Sequence, residues 1–140
     1  MNRNEKIRES ILTSLKKAKE TIQRKSNIEN EILNIVKIIE EFSDELLTVN
    51  VINNDGRNLK FRDPDKLVIV QQREQPLNAM ILLGYTIHEE NTFPVMIESA
   101  TDYCDCNNNE EINDAILEII DENSLKMIQI ANTPITNIPF

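Results

Sequence analysis

The chain has 140 residues and a formal net charge of -9, from 24 acidic and 15 basic side chains. This length allows one domain to bury a core without the support of disulfides or metal ions. Cys104 and Cys106 stand too close together for a framework of long-range disulfides, which favours a reducing compartment. The start, MNRNEKIRES, lacks the apolar region of a signal peptide, and no apolar run approaches the roughly 20 residues that span a bilayer. We therefore expect one cytoplasmic domain with no membrane association.

Charge is divided unevenly along the chain. Residues 1–25 hold eight basic and three acidic groups, whereas residues 101–140 hold eight acidic groups and only Lys126. The acidic part of the chain should repel nucleic acid and favour a partner protein with a basic surface. The simpler alternative is a well-solvated acidic domain with a basic helix end. The acidic residues expected to face the partner are Asp102, Asp105, Glu110, Glu111, Asp114, Glu118, Asp121 and Glu122.

Residues 1–47 are predicted to be helical, because their apolar residues recur every three or four positions. Ser26 and Glu29 fit a capping box, so a break near residues 25–27 is an alternative, although no Gly or Pro enforces one. The second half carries a heptad seam of Ile28, Ile32, Ile35, Ile39, Phe42 and Leu46. Such a seam suits a coiled-coil dimer, a partner helix or packing on the protein's own sheet. The basic first half is the part expected to project.

Residues 48–106 are predicted to form an antiparallel meander of five to six strands. Short apolar segments alternate there with turn-forming residues, and the connections are too short for helical crossovers. Asn54-Asp55-Gly56 predicts a type I′ hairpin that pairs LLTVNVIN with RNLKF. Gly84 marks a bulge or a close backbone approach within the strand Ala79–His88. Further strands are predicted at 67–70, 93–99 and 103–106, with Pro94 at a strand start or on an edge.

Residues 107–132 are predicted to form a C-terminal helical pair. An Asn cap followed by Glu110 and Glu111 suits a helix start, and Ser124 is placed to cap a second helix that buries Leu125 and Ile128. Pro134 ends this region, and residues 133–140 are expected to be extended. The predicted class is therefore α+β, with a long N-terminal helix, the meander and the helical pair.

Residues with catalytic or metal-binding chemistry are scarce. His88 followed by two glutamates could act as a general base, but an exposed imidazole at a strand end is the simpler interpretation. Cys104 and Cys106 would share one face of a strand, as two thiolate ligands, a redox pair or small buried side chains. With two glycines in the chain, glycine-rich phosphate-binding motifs are absent. We predict no catalytic residues, no metal, no cofactor and no enzyme.

The favoured function is binding and modulation of another protein, by an inhibitor, an immunity protein, an antitoxin or a chaperone of a bacterial or phage system. One alternative is a structural or accessory subunit that self-associates as a homodimer through its N-terminal helix. Another is a nucleic-acid-associated accessory protein that uses the basic N-terminus. The absence of aromatic residues from residues 1–25 argues against nucleic acid, because bases stack on aromatic rings.

Overall fold

A computed structural model describes residues 2–135 and has the predicted α+β architecture. Its five strands form one antiparallel sheet in the order β1-β2-β3-β4-β5, which confirms the predicted meander. Both helices contribute to the hydrophobic core together with the sheet. The elements are α1 (Arg3–Phe42), β1 (Leu47–Asn53), β2 (Lys66–Gln72), β3 (Ala79–His88), β4 (Thr92–Glu98), β5 (Tyr103–Cys106) and α2 (Asn109–Asn132).

Helix α1 is one uninterrupted helix of 40 residues. The Asn2 side chain caps its start, where Oδ1 accepts a hydrogen bond of 2.9 Å from the Glu5 N–H. Ser26 lies inside the helix, so the alternative break does not form. The helix ends at Phe42, and the chain then turns through Asp44 and Glu45, whose φ angles are 54° and 63°. The helical segment is therefore shorter at its C-terminal end than residues 1–47.

The heptad seam of α1 is divided between buried and exposed positions. Ile28, Ile32 and Val36 are buried, while Ile35 and Ile39 are only partly buried. Phe42 is 81% exposed, and Leu46, which lies beyond the helix, is also exposed. A helix that packs on a sheet at 3.6 residues per turn buries positions four apart, so Val36 joins the core instead of Ile35.

The predicted hairpin with RNLKF as its second strand is wrong. Strand β1 pairs with β2 from Leu47 opposite Gln72 to Asn53 opposite Lys66, and residues 54–65 form a loop. Gly56 has a φ of 77°, but Asp55 lacks the positive φ that a type I′ turn requires at both central residues. The Asn54 side chain organises the loop instead. Its Nδ2 donates to the carbonyl oxygens of Phe61 at 2.8 Å and Pro64 at 2.7 Å.

The backbone at Gly84 is closely approached by another part of the chain, which confirms one of the two roles predicted for this residue. A Cβ at this position would lie 2.4 Å from Cγ and 2.7 Å from Cβ of Pro64, in the loop that follows β1. The register shift in this part of the sheet falls elsewhere, between Val68 and Ile69 of β2. Gly84 therefore lets the loop seat against the sheet.

Helix α2 is a single helix rather than the predicted pair. The Ser124 hydroxyl donates to the Asp121 carbonyl oxygen at 2.9 Å, so it bonds within the helix and does not cap a new one. Leu125 and Ile128, which were predicted to be buried, are 72% and 50% exposed, because the uninterrupted helix turns Met127 towards the core instead. The predicted extended tail falls largely on residues 136–140, outside the described part of the chain.

Neither helix of the described residues has an apolar stretch that is long enough to cross a bilayer.

Candidate functional site: an acidic groove between α2 and β5

A groove of about 230 Å³ lies between α2 and the sheet edge at β5. Ile97, Ala115 and Ile119 give it an apolar floor, and Tyr103 and Cys104 stand on the strand side. Eight acidic residues were predicted to face a partner, and five of them line this groove. We call these five residues together with the apolar floor the acidic groove. The five are Asp102, Glu111, Asp114, Glu118 and Glu122. The other three, Asp105, Glu110 and Asp121, lie outside its lining.

Two of the acidic side chains are fixed by the local backbone. Asp102 Oδ1 accepts from the Tyr103 N–H at 2.8 Å. Glu111 Oε2 accepts from the Asn107 N–H at 2.7 Å, while the Glu111 N–H donates to Asn108 Oδ1 at 2.9 Å. Asn108 is therefore the N-cap of α2, and Glu111 bonds back to the residue before the cap, so it helps to start the helix. The predicted Asn cap is thereby confirmed.

Three of the acidic side chains form an uncompensated row. Asp114, Glu118 and Glu122 are exposed, lie four residues apart on α2 and all line the groove. Among the ion pairs found within residues 2–135, none includes any of the three. Like charges at this spacing destabilise a helix by about 0.2–0.5 kcal/mol per pair. The row therefore opposes folding of the free protein and offers negative charge to another molecule.

The two outer strands of the sheet differ at their free edges. At β1 the Val49 N–H donates to Glu40 Oε2, and Lys37 Nζ donates to the Val49 carbonyl oxygen, each at 2.7 Å. Lys37 Nζ also contacts Glu40 Oε2 at 3.2 Å. Burial raises the pKa of the Glu40 carboxyl, but the Val49 hydrogen bond and Lys37 outweigh burial, so the pKa is lower than usual.

No such cover exists at β5 within the described chain. The Asp102 side chain bonds the Tyr103 N–H, but no side chain of either helix hydrogen-bonds to the β5 backbone. The acidic groove therefore lies beside an edge strand, β5, whose backbone no side chain of the described helices bonds, while at the opposite edge α1 covers the backbone of Val49.

The two cysteines lie on one face of β5, as their spacing predicted. Their Sγ atoms are 3.8 Å apart, and both thiols are free. Cys104 is exposed on the groove, whereas Cys106 is buried in the core. Burial, with the neighbouring Cys104 thiol, raises the pKa of Cys106 to about 12. Cys106 is therefore a protonated core side chain at neutral pH, and Cys104 is the accessible thiol.

His88 lies at the end of β3, away from the residues that line the groove. Its Nδ1 accepts from the backbone N–H groups of Glu90 at 3.3 Å and Asn91 at 3.1 Å. These bonds hold the turn into β4. Among residues 2–135, no three His, Cys, Asp or Glu side chains are arranged to share a metal ion.

The part of the groove that the sequence did not reveal is its apolar floor. Ile97 belongs to β4 and Ile119 to α2, so their meeting depends on how the helix crosses the sheet. The row of Asp114, Glu118 and Glu122 could have been found, because a spacing of four places side chains on one helix face.

Comparison with known proteins gives no relative. No family model, no curated protein and no solved structure matches this chain.

Proposed function

We propose that this protein binds another protein by receiving a basic, partly apolar segment in the acidic groove. Its role is to modulate that partner, as an inhibitor, an immunity protein, an antitoxin or a chaperone does. We place it in the cytoplasm as part of the same proposal, in keeping with its free thiols. The observation that carries the proposal is the row of Asp114, Glu118 and Glu122 beside an apolar floor.

The size of the groove favours side chains of a protein over a whole small molecule. Its volume is about 230 Å³. Small-molecule sites are generally larger, about 300–1,000 Å³, and enclose most of their ligand. A groove of this size suits one or two apolar side chains inserted from a helix or strand, with basic neighbours that meet the acidic rim.

Unpaired negative charge supports a basic partner in particular. The three carboxylates have no ion-pair partner in the described chain, and their mutual repulsion is relieved when cations approach. Charge complementarity of this kind raises association rates and excludes acidic competitors. The protein is proposed to act through this binding, and no reaction is assigned to it.

The experiment is an NMR titration of the isotope-labelled protein with two synthetic helical peptides, one of Leu and Lys and one of Leu and Glu. We expect the Leu/Lys probe to shift the amide signals of the groove residues, and the Leu/Glu probe to leave them unchanged. The matched variant carries Asp114→Lys and Glu118→Lys, and it should lose the response. Equal responses to both probes, or shifts that survive the charge reversal, would refute the proposal.

A further inference from the structure

The N-terminal part of α1 extends beyond the body of the protein. Residues 3–20, called here the projecting segment, are all exposed. At 1.5 Å per residue this segment is about 27 Å long. Most helices in proteins gain their stability by packing an apolar face, and this segment is exposed on all sides within the described chain.

The projecting segment carries three large apolar side chains with the same spacing as three buried residues later in α1. Ile28, Ile32 and Val36 are spaced by four residues and are buried against the sheet. Ile7, Ile11 and Leu15 repeat this spacing three heptads earlier, yet they are 49%, 54% and 56% exposed. A trio of large apolar side chains in this arrangement is suited to packing against another surface.

The charges beside this trio indicate what kind of surface can cover it. In the heptad register that Ile11 and Ile32 share, the charged side chains at the two positions beside the stripe within residues 3–20 are all basic: Arg3, Arg8 and Lys17. Two projecting segments placed side by side would bring these cations together in either orientation, which opposes a coiled coil between them. The covering surface should be acidic with an apolar floor, and the acidic groove has both properties.

We propose that the projecting segment of a second copy of this chain occupies the acidic groove, and that two copies exchange their segments reciprocally. This inference rests on the proposed function, because it assigns an occupant to the same groove. The resulting interface is two-fold symmetric, with each copy giving one helix and receiving the other. A basic partner would have to displace the segment, so self-association regulates access to the groove.

The direction of the helices makes this exchange feasible. The projecting segment leaves the body where Arg24 Nε approaches Thr92 Oγ1 at 3.5 Å, beside a shallow pocket lined by Ile28, Asn108 and Asn109. Helix α2 begins at this same end, with the groove running along its first turns. In the proposed dimer the two copies meet at this end, and each segment lies along the other's groove.

The experiment is sedimentation velocity over a concentration series, with two charge-reversed variants that leave the core unchanged. The segment variant carries Arg8→Glu and Lys17→Glu, and the groove variant carries Asp114→Lys and Glu118→Lys. We expect a dimer of the wild-type protein that weakens with salt, and dimerisation at least about tenfold weaker in each variant. Mixing the two variants should restore a dimer, because the reversed segment then meets the reversed groove.

The control reverses the charge of the exposed loop residues Lys60 and Arg62 to Glu, which matches the charge change of the segment variant. This control should dimerise like the wild type. A wild-type monomer at the highest concentration, or a groove variant that still dimerises, would overturn the inference. If the Leu/Lys probe still binds the groove of a monomeric wild type, the inference alone fails. If that probe binds neither the wild type nor the monomeric segment variant, the proposed function fails, and the inference that rests on it fails too.

Discussion

Replacing Glu118 by Gln should stabilise the free protein. Glu118 lies four residues after Asp114 and four before Glu122, and no ion pair of the described residues includes it. The substitution removes the two like-charge pairs at a spacing of four and leaves helix propensity nearly unchanged. At about 0.2–0.5 kcal/mol per pair, the free energy of unfolding should rise by about 0.4–1 kcal/mol at low ionic strength.

The matched control is Glu110→Gln in the first turn of the same helix. A carboxylate there complements the helix dipole by about 0.3–1 kcal/mol, but it also forms one like-charge pair with Asp114, worth about 0.2–0.5 kcal/mol. Glu110→Gln should therefore raise the free energy of unfolding less than Glu118→Gln does, or lower it. Urea denaturation at low salt measures both changes, and both should shrink near 1 M salt, where the screening length is about 3 Å. If Glu118→Gln destabilises the protein, or stabilises it no more than Glu110→Gln does, the row of carboxylates does not oppose folding.

Four further predictions concern the β1 edge, the loop that follows β1 and the two cysteines. Glu40→Ala should lower the free energy of unfolding by about 1.5–3 kcal/mol in urea denaturation, because it leaves a strand N–H without its charged acceptor. Folding lowers the pKa of Glu40, so its carboxylate stabilises the folded protein when it is ionised. The wild type should therefore be more stable than Glu40→Gln at neutral pH, and this difference should be lost as the pH falls through the lowered pKa of Glu40. Gly84→Ala should cost about 1–3 kcal/mol by thermal or urea denaturation, because its Cβ would overlap Pro64; an unchanged midpoint would contradict that packing. Iodoacetamide should label Cys104 in the native protein and Cys106 only after unfolding, as mass spectrometry of the peptides can show.

Local signals in the sequence were sufficient for several elements. An Asn cap followed by Glu110 and Glu111 located the start of α2 to within two residues, and strand β5 was predicted with its observed bounds. A short apolar run between turn-forming residues likewise located β3. These features depend on residues that are neighbours in the chain.

Features that depend on distant residues were missed. Gly56 adopts the positive φ that its turn motif suggested, but the partner strand of β1 was decided by the apolar face of β2 and by the Asn54 side chain. Similarly, heptad spacing suggested one continuous apolar seam on α1. Among the described residues of this helix only Ile28, Ile32 and Val36 are buried, and they belong to the part of α1 that packs on the sheet. The acidic residues were selected from composition, but only the crossing of α2 over β4 and β5 brought five of them around one groove.

The most direct test of the groove is calorimetric titration of the Leu/Lys peptide into the Arg8→Glu, Lys17→Glu variant, whose groove should be free of a second copy. The account predicts one peptide bound per chain, with an affinity that falls steeply as salt increases and is lost in the Asp114→Lys, Glu118→Lys variant. Equal binding by the two variants, or no binding by either, would contradict the claim that this groove receives a basic segment.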